Sequence, residues 1–355
     1  MDLADIARSR VRAHRLETAD RSSASVAVGS LLAMQAQDYR GGLWSVGVRA
    51  AALTEAEVEQ ALLQREIVRT WPMRGTLHLV AAADARWLPE LLGPRATQAA
   101  AGRRRGLGLD EAAVASTRRA WEAGLSGGRC LGRPKLFALM EAAGVDSGDQ
   151  RGPHLLRYLA EQGVLCFGPH EGRQPTYALL DEWVPDARVL DREEALAELA
   201  LRYFSSHGPV TLEDFAGWAF ITKGDARAGL AAVEDQLESM EVDGLRYWHA
   251  GVEDAATGVH LLPGFDEYVL GYKNRAAFAT PEIMAAVVPG GNGMFKASVV
   301  SDGQIVGLWS VKKLTRRQEV RFAWFEGRPR PAEDLLEQAV QRYARFTGVE
   351  TAAIP

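Results

Sequence analysis

The sequence predicts an α+β protein made of tandem helix-then-hairpin units followed by a C-terminal antiparallel β-barrel-like domain. Three observations carry this expectation. Runs with helical apolar spacing give way to paired β-rich runs three times along the chain. After Pro263 the texture changes to β-rich runs, with Asp302-Gly303 as a strong hairpin signal. The length of 355 residues predicts two or three domains, or one elongated array. The segments are divided as 1–95, 96–185, 186–263 and 264–355.

The first segment opens with a short helix from Asp5 to Leu16, whose apolar points are Ile6, Val11 and Leu16. Ser22 and Ser23 can cap a second helix from Ala24 to about Gln35. Thr54 with Glu57 has the spacing of a capping box for a third helix ending near Gln64. Ile67–Trp71 and Thr76–Val80 then flank Pro72-Met73-Arg74-Gly75, which reads as a hairpin. Three helices followed by a hairpin is the layout of a winged helix.

The second unit repeats the pattern. Helices over 134–143 and 150–162 end at Gly144 and Gly163, and runs at 164–167 and 176–180 make the wing. A third copy is expected from helices over 192–204, 211–220 and 225–237, with 245–248 and 259–262 as its wing. Beyond Pro263, 294–301, 304–313 and 319–325 read as a meander, and 331–346 as a closing helix.

Composition excludes several classes. Hydrophobic content of 47% and charged content of 25% are those of a soluble globular protein. No apolar run is long enough to span a bilayer, and the N-terminus lacks a secretory layout. Two isolated cysteines, Cys130 and Cys166, predict neither a structural zinc nor a disulfide framework, which fits a reducing cytoplasm. The net charge of −5 hides segregation. Residues 95–135 hold nine basic side chains against Asp110, Glu111 and Glu122, and residues 296–321 hold six against Asp302 and Glu319. Residues 181–267 are acidic. Two basic patches on an acidic body point to a polyanionic partner, the competing reading being solvated helix faces.

The stretch Met34-Gln35-Ala36-Gln37-Asp38-Tyr39 closes an apolar helical run and opens a loop containing Gly41 and Gly42. On a helix, two residues of separation turn the carboxamides apart by about 200°. In an extended segment the same spacing puts both on one side. Where helix gives way to loop, both amides can reach one site. The structural alternative is a pair of ordinary amides at a helix end.

Four stretches together resemble one family: Met34–Gln37; Val68–Leu79, with its Arg69-Thr70-Trp71-Pro72-Met73-Arg74-Gly75-Thr76-Leu77-His78 core; Leu261–Tyr268; and Gly307-Leu308-Trp309. The chain is similar over essentially its whole length to the bacterial winged-helix DNA glycosylases that unhook interstrand crosslinks, the azinomycin-resistance glycosylase-like group. The resemblance implies tandem winged helices in a C-shaped array with a β-barrel. It implies binding of double-stranded DNA carrying alkylated purines, excision of N7-alkylated guanine without a cofactor, and catalysis by Gln35 and Gln37. A sister branch carries aspartate at the second catalytic position, where this chain has Gln37.

The chemistry is consistent with neutral amides. A glutamine cannot serve as a general base near neutral pH. A guanine alkylated at N7 is already cationic and leaves without being protonated. Gln37 is expected to orient the attacking water and Gln35 to stabilise the sugar cation or share the water, the division between them being open. Asp38 should face away if both glutamines face inward, so neutral bases such as uracil should resist excision.

Arg74, Arg103, Arg104, Arg105, Lys312, Lys313, Arg316 and Arg317 are the candidate DNA-binding residues. His78 is read as structural, facing solvent or bonding across strands. Asp266 and Glu267 are read as structural charges, Trp44 and Trp71 as core, and Pro289–Met294 as a possible groove-entering hairpin. No dimerisation helix is evident, so a monomer is expected. The competing functions are a winged-helix regulator without catalysis and a protein that sequesters a DNA-alkylating antibiotic.

Overall fold

The computed structural model describes residues 1–17, 22–251, 257–291, 293–315 and 317–354. The fold is α+β, and the chain packs as two units. One comprises Met1–Gln60, Leu196–Trp218 and Thr222–Pro355; the other comprises Ala61–Ala195 and Ala219–Ile221.

The N-terminal elements are α1 (Leu3–Ala13), α2 (Ala24–Ser30), β1 (Ala33–Gln35), α3 (Tyr39–Gly47) and α4 (Glu55–Leu63). Asp2 and Asp5 form a reciprocal capping box on α1. Thr54 and Glu57 do the same for α4, as their spacing predicts. Two expectations fail here. Helix α2 stops at Ser30, because Leu32 takes a left-handed backbone (φ 67°) that turns the chain into β1. The expected loop at Gly41-Gly42 is the first turn of α3.

The second unit begins with a hairpin, β2 (Ile67–Met73) and β3 (Thr76–Ala81). Next come α5 (Trp87–Ala99), α6 (Ala101–Gly106), α7 (Glu111–Leu125), β4 (Leu131–Gly132), α8 (Arg133–Ala142), α9 (Arg151–Glu161), β5 (Leu165–Glu171), β6 (Gln174–Leu179) and α10 (Leu180–Trp183). The basic stretch 95–135 is therefore largely helical. Its arginines are exposed or half-exposed, and all but Arg129 lie on helices, so apolar spacing barely marks these helices. The core of this unit gathers Trp121, Leu125, Leu136, Met140, Leu155, Leu159, Leu165 and Tyr177.

Next come α11 (Arg192–His207), α12 (Leu212–Ala219), α13 (Lys223–Ala231), β7 (Glu238–Val242) and β8 (Leu245–His249). The expected third wing is corrected: β8 pairs with β7, whose run 238–242 is charged and reads poorly as strand. The run 259–262 is a sheet strand elsewhere, β9 (Val259–Leu262). The last elements are α14 (Glu267–Leu270), α15 (Pro281–Val287), β10 (Ser298–Ser301), β11 (Gln304–Lys313), β12 (Gln318–Trp324), α16 (Glu333–Thr347) and β13 (Thr351–Ile354).

The element order repeats. In α7-β4-α8-α9-β5-β6 the short strand β4 pairs with β6, the hairpin's second strand. In α11-α12-α13-β7-β8, Val210 takes the place of the short strand and bridges to Trp248 on β8. The C-terminal region differs from a closed antiparallel barrel. Its five strands run in the order β13-β12-β11-β10-β9, leaving β9 and β13 as edges, and β12 and β13 are parallel. Asp302 (φ 49°) and Gly303 (φ 80°) make the tight turn expected between β10 and β11. The strand expected from Met294 begins only at Ser298.

Candidate active site

The glutamine stretch lies in the first unit between β1 and α3. Gln35 ends β1 and is buried, at 9% exposure, whereas Gln37 sits in the bend that follows and is exposed. Neither belongs to a helix, so the helical separation of about 200° does not apply to them. The first turn of α3 presses against this stretch. A Cβ on Gly42 would stand 2.6 Å from Cβ of Ala36, so only glycine permits the approach. Asp38 starts α3 without a side-chain cap, and its carboxylate lies over Gly41, 2.8 Å from where a Cβ would be.

Two adjacent acids hold this arrangement from below. The backbone N–H of Gln35 donates to Oε1 of Glu267 at 3.1 Å, and the indole of Trp218 donates to Oε2 at 2.8 Å. Glu267 is fully buried. Asp266 grips α3 instead. Arg49 meets it through two bonds of 2.7 and 2.8 Å, and Ser45 donates to it at 2.6 Å. Burial alone would push the Asp266 carboxyl up. The Arg49 guanidinium and the Ser45 and Tyr268 donors outweigh that and hold it below the usual carboxylate range. Consecutive carboxylates thus clamp the strand before the bend and the helix after it.

The Leu261-Leu262 pair just upstream is held similarly. Nε1 of Trp44 donates to Leu261 O and Nε1 of Trp309 to Leu262 O, each at 2.7 Å. Tyr343 of α16 meets both indoles edge-on at 5.0 and 5.1 Å. Three of the sequence stretches that carry the resemblance therefore converge on one site, although the first lies more than 200 residues before the other two.

Residues 28–346 match the model of a family described as AlkZ-like DNA glycosylases. The chain belongs to that family. It is 28% identical to an interstrand DNA cross-link repair glycosylase of Streptomyces sahachiroi, over 96% of this chain and 95% of that one. Its structure is similar to that of the Streptomyces sahachiroi DNA glycosylase AlkZ, with a TM-score of 0.84 at 26% identity, covering 100% of both chains. The protein is a DNA glycosylase, and this overturns the non-catalytic regulator as its function.

The fourth stretch forms the hairpin β2–β3 of the second unit of this glycosylase. His78 does not face solvent; it is fully buried. Its Nδ1–H donates to Thr76 O at 2.9 Å, which leaves Nε2 to accept from Arg74 at 3.1 Å. Burial, with the Arg74 charge beside it, keeps the ring well below its ordinary pKa and therefore neutral. Arg74 itself sits at the hairpin tip with φ 56°. Trp71 is only half-buried, tilted against Phe167 at 5.1 Å.

The other basic candidates divide between the units. Arg74 and Arg103 line a concavity of about 300 Å³ in the second unit. Arg104 lies over the Tyr158 ring at 4.5 Å, and Arg105 is exposed on α6. Lys313 and Arg317 line a concavity of about 480 Å³ in the first unit, together with Arg40 and Glu55. Lys312 is exposed at the end of β11, and Arg316 lies outside the described residues. Pro289–Gly291 is a short 3-10 turn after α15, not the arm of a hairpin, and Asn292 lies outside the described residues. Sequence reasoning did not single out Arg40, Arg49 or Arg157. The position of Arg40, three residues past Gln37, was the only available signal for it. Among the described residues, no three His, Cys, Asp or Glu side chains group as metal ligands, and no helix is long and apolar enough to cross a membrane.

Proposed function

We propose that this glycosylase hydrolyses the N-glycosidic bond of N7-alkylated guanine in duplex DNA, including bulky adducts and interstrand crosslinks. The observation that carries this reading is the non-helical Gln35-Ala36-Gln37 stretch, anchored through the Gln35 backbone to buried Glu267. Similarity over 96% of the chain to a relative named for interstrand crosslink repair supports the lesion class. The repeated helix-and-hairpin order supports the tandem winged-helix reading of its DNA-holding body.

The leaving base is cationic before the reaction begins, so no acid is needed to expel it. As the bond stretches, positive charge moves onto the sugar. The carboxamide oxygen of Gln35 supplies partial negative charge to it, and Gln37 accepts from and orients the attacking water; the base leaves neutral with the bonding pair, and the proton shed as water bonds C1′ passes to solvent. Both acids beneath the stretch are occupied, Glu267 by Gln35 and Trp218 and Asp266 by Arg49 and Ser45. They position the amides and do not act on the base. The enzyme acts as a monomer without a cofactor, and one biological setting for it is self-resistance to a DNA-alkylating natural product.

The test times release of 7-methylguanine from alkylated duplex by Gln37→Ala. We expect a loss of about 10²-fold or more, the scale on which a positioned polar group contributes. A rate near that of the unaltered enzyme sinks the proposal, as does efficient release of uracil, a neutral base that this site cannot help to leave.

A further inference from the structure

We propose that the concavity formed by Arg74, Arg103, Arg157 and Phe220 holds one backbone phosphate of bound DNA, with the Phe220 ring against the adjoining sugar. The inference rests on the reading of this chain as a DNA-acting enzyme and adds a built phosphate site within its second unit.

Three elements bring cations to this one place. Arg74 comes from the tip of the β2–β3 hairpin, Arg103 from α6 and Arg157 from α9. No carboxylate is among the residues that line the concavity. Gly75 is what lets the hairpin tip meet α9. It has φ 70°, and a Cβ there would lie 3.1 to 3.3 Å from the Arg157 guanidinium carbon and its two terminal nitrogens. Arg157 is held from its other side by Glu161, whose Oε1 lies 3.0 Å from Nε. That contact uses the inner edge of the guanidinium and leaves the terminal nitrogens as the pair that can meet a phosphate.

An unpartnered polar atom points the same way. His154 lines the concavity, and its Nε2 is buried without a hydrogen-bond partner. In the tautomer protonated there, it donates to a phosphate oxygen. Burial and the charges of Arg157, Arg104 and Arg103 push the His154 imidazole down to about 4, so several cations crowd it with little to offset them. Phe220 adds an independent mark. A bulky residue at φ 55° is a backbone outlier, of the kind that persists where a position has a job. Its ring lines the concavity, with Arg95 4.8 Å from the centroid. A space of about 300 Å³ is more than a lone phosphate needs and suits a phosphate with part of its sugar.

The experiment measures binding of the full chain to undamaged duplex by fluorescence anisotropy across a salt series. Each phosphate that the protein no longer neutralises should flatten the slope of log K against log salt by about 0.9. Arg103→Gln with Arg157→Gln should flatten it by about one unit and weaken binding equally on unrelated sequences. Arg103 is exposed, so Arg103→Gln alone decides the matter if the double variant does not fold. Arg227→Gln, an exposed charge in the acidic region, is the control and should change nothing. An unchanged slope overturns the proposal. So does tight binding of inorganic phosphate at millimolar concentration with the slope intact, which would mark a free-anion site. Failure of the glycosylase reading would appear separately, as absent base release with the salt slope still altered.

Discussion

Replacing Glu267 with glutamine keeps the shape of the side chain and inverts one contact. Glu267 accepts two N–H donors, one from the Gln35 backbone at 3.1 Å and one from the Trp218 indole at 2.8 Å, while fully buried. A glutamine offers one oxygen and one NH₂, so one of those donors meets another donor. Leaving a buried donor unsatisfied costs about 1–3 kcal/mol, and hydrogen bonds to a charged acceptor lie at the upper end of that scale. The Gln35 backbone can escape the clash by shifting, and a misplacement of about 1 Å at a reacting centre can cost about 10² in rate. We therefore expect Glu267→Gln to lower single-turnover release of 7-methylguanine by about ten- to a hundredfold. Affinity for undamaged duplex should hold. A second substitution, Trp218→Phe, removes the indole donor and lets the amide oxygen turn to Gln35. The pair should recover most of the lost rate although each variant alone is less stable. If Glu267→Gln loses stability in urea but releases base at the unaltered rate, or if Trp218→Phe restores nothing, then Glu267 does not position the glutamine stretch.

Two further outcomes follow from buried charges. Asp266→Asn leaves the fully buried Arg49 without its counter-charge, and breaking such a pair costs about 3–5 kcal/mol; calorimetry or urea unfolding should report that loss, and a change below about 1 kcal/mol would deny the clamp on α3. Glu161 is the opposite case, because burial, opposed by Arg157, pushes its carboxyl up from 4.5 to about 7. Its neutral form is favoured in the fold, so its contribution to stability is complete below about pH 4.5 and disappears as pH rises through 7. At about 1.36 kcal/mol per pKa unit, the loss between pH 5 and 8 is at most about 3 kcal/mol. Glu161→Gln should flatten that part of the stability profile, whereas an unchanged profile would place the titration elsewhere.

The elements most readable in the sequence were those whose signals are local. Capping pairs such as Thr54 with Glu57, the glycine stops of α8 and α9, and the Asp302-Gly303 turn act over a few residues, and each is where its spacing puts it. Elements fixed by distant partners were misread. Helix α2 has Gly29 one residue before its end, but the left-handed position itself is Leu32, and the apolar spacing continues through Leu31 and Leu32, so the turn is poorly announced. β7 is rich in charge and becomes a strand by pairing with β8, while the better-looking run Val259–Leu262 finds its partner in β10.

The candidate site divides along the same line. The glutamine stretch was singled out through the family resemblance, since two amides flanking an apolar residue read by themselves as an ordinary helix end. Its supports were not, because Glu267 is separated from Gln35 by 232 positions and Arg49 from Asp266 by 217. A lone Arg49 in an apolar stretch reads as a solvated end, and only its bidentate grip on Asp266 explains why the charge is buried. The Asp266-Glu267 pair looks catalytic in sequence because acids so often move protons. In the fold every described oxygen of the pair already faces a donor, which leaves neither acid a role in expelling the base. On the proposed reading, a site with its acids committed to scaffolding suits a base that is cationic while attached and leaves neutral with the bonding pair. On that reading the proposed choice of lesion and the burial of the two carboxylates share one physical cause, the lack of a free acid beside the amides.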